Sequence, residues 1–107
     1  MSDTVAEHVD RALASLADVP VRELKATAEA LERRRDRLGD FAGVFREVAW
    51  SRESDSTPRL ARFHLRQAVE RGGGELSERI GHAEAPFWGH VRDALRARTS
   101  WRTELRP

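Results

Sequence analysis

The feature that most constrains this chain is a heptad-like run of apolar residues between positions 21 and 49. Alternating steps of three and four separate its members, which are Val21, Leu24, Ala28, Leu31, Leu38, Ala42, Phe45 and Ala49. Only Arg35 interrupts the run. Such spacing lies along one side of an α-helix and is typical of helices that pack against other helices. It predicts a helix from about residue 20 to 50, roughly 45 Å long.

A shorter amphipathic helix precedes the long helix, from Val5 to about Ala17. The long helix opens on Pro20, which suits the first turn of a helix. Because only about three residues connect the two helices, they are predicted to pack as an antiparallel hairpin. The acidic first helix would then flank a cluster of arginines on the long helix, which we expect to be a solvated helix face. The cluster consists of Arg33, Arg34, Arg35 and Arg37.

The second half of the chain is predicted to contain helices on both sides of a glycine joint. A third helix begins near Pro58 and ends at the glycines 72–74. Its apolar residues include Leu60, Phe63, Leu65 and Val69. The last segment repeats the apolar spacing but contains Pro86, which removes one backbone hydrogen bond of a helix. It predicts a helix over about 75–83, a kink or short break, and a helix over about 86–100.

These helices and the composition predict one all-α domain over residues 1–107. The chain is 39% hydrophobic and 35% charged, which is typical of a small protein whose helices each bury one face. We expect a bundle of four to five helices with a long second helix, coiled-coil-like packing and a Pro-kinked C-terminal helix. No stretch of useful length alternates with the period of two that a half-buried strand shows.

Charge and cysteine content exclude several classes of protein. The net charge is only +1, so no overall field attracts the chain to nucleic acid or acidic lipid. There is no cysteine, which excludes a disulfide scaffold and thiol chemistry. Residues 1–4 show neither the basic nor the apolar region of a secretion signal, and no apolar stretch approaches a membrane span. We therefore expect a cytoplasmic protein that does not bind membranes.

Patterns typical of catalysis, cofactors or metal ions are also missing from the sequence. His82 and His90 are eight residues apart, too far for the i, i+4 pairing with which one helix face chelates a metal. The seven glycines form no phosphate-binding loop. No glutamate lies three residues before a histidine, as it does in di-iron bundles. We expect no catalytic, cofactor or metal site, and a protein that is not an enzyme.

Tryptophans and arginines supply the candidate binding residues. These two residue types often dominate protein interfaces, so Arg98, Trp101 and Arg102 are predicted to contact a partner protein. Phe87 is in phase with the apolar run of its segment and is expected in the core. Trp50, at the end of the long helix, is expected to close the end of the bundle.

Three classes of function remain open. The apolar stripes are longer than two short helices can cover, which favours an interaction module (an adaptor, assembly subunit or regulator) that forms a homodimer or needs a partner. The alternative is a nucleic-acid-binding subunit in which Arg59, Arg62 and Arg66, together with the C-terminal arginines, contact phosphates. A small enzyme or ligand carrier is the third class, and no residue pattern supports it.

Overall fold

The computed structural model of the protein describes residues 4–72, 74–80 and 85–105, except for the side chains of 74, 75 and 99–105. Its helices are α1 (Thr4–Ala14), α2 (Val21–Glu32), α3 (Ala42–Glu53), α4 (Arg59–Arg71), α5 (Gly74–Ile80) and α6 (Pro86–Leu105). A 3₁₀ helix, Arg37–Phe41, precedes α3. None of the described residues forms a strand. The predicted all-α fold is confirmed, with six α-helices in this part of the chain because the long helix is divided.

The continuous helix predicted over residues 20–50 is wrong, because the chain leaves the helical path at residues 33–36. The Asp36 carboxylate accepts a hydrogen bond from the Leu38 amide at 3.2 Å and so caps the 3₁₀ helix. It also accepts two hydrogen bonds from the Arg34 guanidinium, at 2.6 and 2.9 Å. An aspartate that bonds to nearby backbone in this way competes with the hydrogen bonds of an α-helix. The apolar run is therefore divided between α2 and α3.

The two halves of the predicted stripe are buried even though they lie on different helices. α2 and α3 pack together in antiparallel fashion, with Lys25 Nζ 2.9 Å from the Glu53 carboxylate and Arg46 Nη2 2.6 Å from the Glu32 carboxylate. The buried stripe residues are Leu24, Ala28, Leu31, Ala42, Phe45 and Ala49. The fold therefore covers, within one chain, an apolar stripe that a single long helix would have offered to a partner.

The predicted hairpin of α1 with α2 is also wrong, since α1 packs on α6 and α4 while α2 packs on α3. Arg52, near the end of α3, donates hydrogen bonds to the carbonyl oxygens of Leu16 and Val19 in the α1–α2 connection. Carbonyl oxygens at a helix end lack intrahelical partners, and this guanidinium supplies two donors just beyond the end of α1. The connection is thereby attached to α3.

The arginine cluster consequently lies on a turn and not on a helix face beside α1. Arg33 and Arg35 are exposed there. Arg37 belongs to the 3₁₀ helix, and its Nη1 is 3.6 Å from the Asp40 carboxylate. The predicted exposure of these arginines holds, but the acidic residues beside them come from the turn itself.

The C-terminal helices complete the core on the other side. Pro86 begins α6, as predicted for the helix over about 86–100, because proline fits the first turn of a helix. The predicted kink or break before it falls largely on residues 81–84, which lie outside the described part of the chain. Phe87 is buried, as predicted. Its ring lies 4.9 Å from the ring of Phe45 and 4.9 Å from that of Trp88, both in edge-to-face geometry. Trp88 also contacts Phe41 edge to face at 5.4 Å. This aromatic cluster joins α3 and the 3₁₀ helix to α6.

Candidate interaction surface

α4 presents an apolar side to the core and a mixed side to solvent. Its buried residues are Ala61, Leu65, Ala68 and Val69, and they pack the helix against α1, α3 and α6. At about 3.6 residues per turn, the opposite side of the helix carries a different set. That set, here called the outer face of α4, comprises Arg59, Leu60, Arg62, Phe63, Arg66, Gln67 and Glu70.

Leu60 and Phe63 distinguish this outer face, because both side chains are more than half exposed, at 55% and 56%. Their apolar character alone groups them with Leu65 and Val69 in one helix and does not predict their exposure. Their positions around the helix distinguish them from the buried residues. The buried stripe starts at Ala61 and continues through Leu65, whereas Leu60 and Phe63 form a second apolar pair on another side.

Trp50 extends the exposed apolar surface from α4 onto α3. Its side chain is 54% exposed, so the expectation that it closes the end of the bundle is wrong. Trp50 shares a side of α3 with Gly43, seven residues earlier, just as Leu60 shares a side of α4 with His64. The two helices meet there, since a Cβ on Gly43 would lie 3.6 Å from the His64 ring. Trp50 and Leu60 therefore lie on the sides of α3 and α4 that carry this contact, and the Phe63 ring is 5.9 Å from that of His64.

These three side chains, Trp50, Leu60 and Phe63, are called the apolar ridge below. They are the large hydrophobic residues that the described part of the chain exposes. The ridge is held in place from both sides. Packing of the buried side of α4 fixes the positions of Leu60 and Phe63. On α3, Trp50 lies between two residues that form ion pairs with α2: Arg46, four residues before it, and Glu53, three residues after it. The hydrogen bond from the Arg46 guanidinium lowers the pKa of the Glu32 carboxyl group.

Arginines surround the α4 half of the ridge. Arg62 Nε is 3.2 Å from the Asp10 carboxylate of α1, and Arg66 Nε is 3.4 Å from the Glu70 carboxylate. Arg59 forms no ion pair with the described residues. Exposed ion pairs of this kind contribute only about 0–1 kcal/mol, so an incoming carboxylate or phosphate can replace the existing partner.

The outer face of α4 also contains a shallow groove of about 510 Å³. The groove is lined by Arg59, Arg62, Phe63, Arg66, Gln67 and Glu70. The arginines predicted as possible nucleic-acid ligands are thus brought together with an exposed aromatic ring. The structure places them on one surface, where an apolar contact and a charged contact can form at the same time.

The second predicted set, Arg98, Trp101 and Arg102, lies on α6. Arg98 Nη1 donates a hydrogen bond to the Gly72 carbonyl oxygen at 2.9 Å, which ties α6 to the end of α4. The side chains of Trp101 and Arg102 lie outside the described part of the chain. Partner contact through this set stays a prediction.

No group of three or more His, Asp or Glu side chains is placed to hold a metal ion within the described ranges. Among the helices described, none combines the length and the apolar character needed to cross a membrane. Comparison with known protein families, curated proteins and solved structures finds no match for the chain. The ridge and the arginines around it are therefore the features of this chain that indicate a function.

Proposed function

We propose that the protein is a non-enzymatic interaction module that binds a partner protein through the apolar ridge. One observation supports this most directly: the large hydrophobic side chains exposed by the described residues lie on two helices that pack together, Trp50 on α3 and Leu60 and Phe63 on the outer face of α4. Single exposed apolar residues are ordinary on soluble proteins, whereas a contiguous patch with a polar rim is typical of an interaction site. Tryptophan and arginine, both present here, often dominate binding energy.

The ridge alone accounts for only part of the binding free energy. Complete burial of a large apolar side chain contributes about 1.5–3 kcal/mol. Each ridge side chain is just over half exposed, so a partner that covered all three would gain roughly 3–4 kcal/mol from them. A micromolar complex requires about 8 kcal/mol. The charged residues beside the ridge must therefore contribute to any complex of that affinity.

Nucleic-acid binding is the second candidate function, because Arg59, Arg62 and Arg66 share a face with Phe63, and an aromatic ring among arginines can stack on a base. Two of these arginines already contact carboxylates of the same chain, which reduces the positive potential of the face. A gel-retardation series at rising salt measures this candidate, since a phosphate-dependent complex weakens steeply as salt increases.

Self-association is the remaining possibility, since a homodimer was expected from the long stripe. Two copies that met through the outer face of α4 would bring like-charged arginines together, which disfavours that arrangement. Light scattering at micromolar concentration measures the state directly. A dimer that dissociated on the Phe63→Gln substitution would make the ridge a contact between copies of this chain.

The main experiment compares two variants that carry the same new side chains at different places. Leu60→Gln/Phe63→Gln makes the ridge polar, whereas Ala26→Gln/Ala30→Gln places two glutamines on the exposed side of α2. Both are surface changes, so each is expected to alter stability by only about 0.5 kcal/mol.

Tagged versions of both variants are then purified from cells together with their bound proteins. We expect the α2 variant to retain the partners of the unmodified protein and the ridge variant to lose them. If the two variants retained the same partners, the ridge would not be the binding site.

A further inference from the structure

The groove on the outer face of α4 extends over about three turns of the helix. Arg59 and Glu70 mark its two ends and are eleven residues apart, which corresponds to about 16 Å along a helix axis, or about three turns. Phe63 lines the groove, and Leu60 is exposed three residues earlier on the outer face of α4, where both can serve as apolar anchors. A partner helix meets such anchors with its own apolar residues at i, i+3, i+4 and i+7.

The charges beside the groove select the chemistry of that helix. The outer face of α4 carries Arg59, Arg62 and Arg66 beside two carboxylates, Glu70 of α4 and Asp10 of α1. Arginines are therefore still in excess, and the face disfavours a basic partner and a second copy of itself. Arg62 and Arg66 already contact carboxylates within hydrogen-bonding distance. Guanidinium groups bind carboxylates through paired, charge-assisted hydrogen bonds.

We infer that the ridge binds an acidic amphipathic helix of about three turns, whose apolar stripe covers Leu60 and Phe63 and whose Asp or Glu side chains pair with the flanking arginines. The inference rests on the proposed function and specifies its partner. Trp50 lies in the last turn of α3, before the connection to α4, and is the third apolar residue available to one end of the bound helix. A nucleic acid would satisfy the arginines but would leave Leu60 without an apolar partner.

The test uses the full chain and a displayed library of amphipathic helical peptides of fourteen residues. The apolar stripe of the library is constant, and the positions on either side of it are randomised among acidic, basic and neutral residues. Selection on the unmodified protein is expected to enrich Asp and Glu beside the stripe. A representative enriched peptide, made with a fluorescent label, is then measured by anisotropy.

Two charge-reversal variants provide the matched comparison. Arg59→Glu/Arg66→Glu changes the groove, and Arg33→Glu/Arg35→Glu makes the same change in charge on the exposed turn after α2. We expect the groove variant to weaken peptide binding about tenfold or more and the turn variant to leave it nearly unchanged, because Arg33 and Arg35 do not line the groove. Phe63→Gln should also abolish binding while it keeps the arginines. It replaces the double reversal as the test if circular dichroism shows that the reversal disturbs folding.

Enrichment of neutral or basic flanking residues, equal effects of the two charge reversals, or no enrichment at all would overturn the inference. The cell purification described above then separates the two claims. If the Leu60→Gln/Phe63→Gln protein still loses its partners, the interaction function stands and only the acidic helix is wrong. If that protein retains them, both claims fail.

Discussion

Replacing Gly72 by alanine is expected to destabilise the protein through crowding where α4, α5 and α6 meet. Gly72 follows α4 with φ −75° and ψ 160°, a conformation that any residue adopts. The obstacle is space, since a Cβ there would lie 2.6 Å from Leu76 Cδ2 and 2.7 Å from Leu95 Cδ2. Carbon atoms in ordinary contact are about 3.5–4.0 Å apart, so each leucine methyl group must withdraw by about 1 Å.

The expected loss of stability follows from two opposing effects. Leu76 and Leu95 are 4% and 1% exposed, so their methyl groups have little room to move, and overpacking of this kind costs about 1–3 kcal/mol. Against this, alanine restricts the unfolded chain and contributes about 0.4–1 kcal/mol. We expect the free energy of unfolding to fall by about 1–2 kcal/mol. At about 4 °C per kcal/mol for a domain of this size, the melting temperature would fall by about 4–8 °C.

The same substitution at Gly89 supplies the control. Gly89 lies in α6, and a Cβ there would meet nothing within 4 Å. Alanine is favoured over glycine inside a helix by about 1 kcal/mol, so Gly89→Ala should raise the melting temperature by about 4 °C. Urea and thermal unfolding followed by circular dichroism measure both variants. If Gly72→Ala were as stabilising as Gly89→Ala, the packing assigned to α4, α5 and α6 would be wrong.

Three further predictions concern single side chains. Arg52→Met keeps the stem but removes two charged hydrogen bonds to the α1–α2 connection, and should lower stability by about 1–3 kcal/mol in urea unfolding; an unchanged midpoint would contradict this role. The hydrogen bond from Arg34 holds the pKa of Asp36 at about 2, below its usual 3.8. Asp36 therefore contributes stability above pH 3.8 that is lost as the pH falls towards about 2, and Asp36→Asn should flatten that part of the acid-unfolding curve. Phe41→Ala should cost about 3–5 kcal/mol, because Phe41 is completely buried; a loss below about 1 kcal/mol would show that its site collapses.

The division of the long helix shows why a correct pattern led to a wrong helix. The stripe residues from Leu24 to Ala49 are in register for one helix, and this register predicts a continuous helix. Two antiparallel helices bury the same residues, because the apolar positions have to be in register only within each helix. The decisive residue is Asp36, whose carboxylate accepts hydrogen bonds from the Leu38 amide and the Arg34 guanidinium. An aspartate that can cap a helix is recognisable in a sequence. Here it lies among four arginines of good helical propensity, which favour the prediction of a continuous helix.

The candidate site could be predicted only in part from the sequence, for a related reason. The spacing of Arg59, Arg62 and Arg66 on one side of a helix is a local property, and it was found. The exposure of Leu60 and Phe63 depends on which of two apolar sides of α4 meets α1, α3 and α6, and that choice is not local. Only the assembled core shows that the Ala61 side is covered and the Phe63 side is not.

The sequence by itself determined the all-α class, the starts of most helices and the residues of the main apolar stripe. Helical period, proline, glycine and capping side chains act over a few residues, so their effects can be read without knowing the fold. Tertiary structure decided which helices pair and therefore which apolar side chains remain exposed. α2 meets α3, and α1 meets α6, because burial of apolar area is non-directional and several pairings satisfy the same periodicity. The position of Trp50 at the surface, and with it the proposed binding site, follows from that pairing.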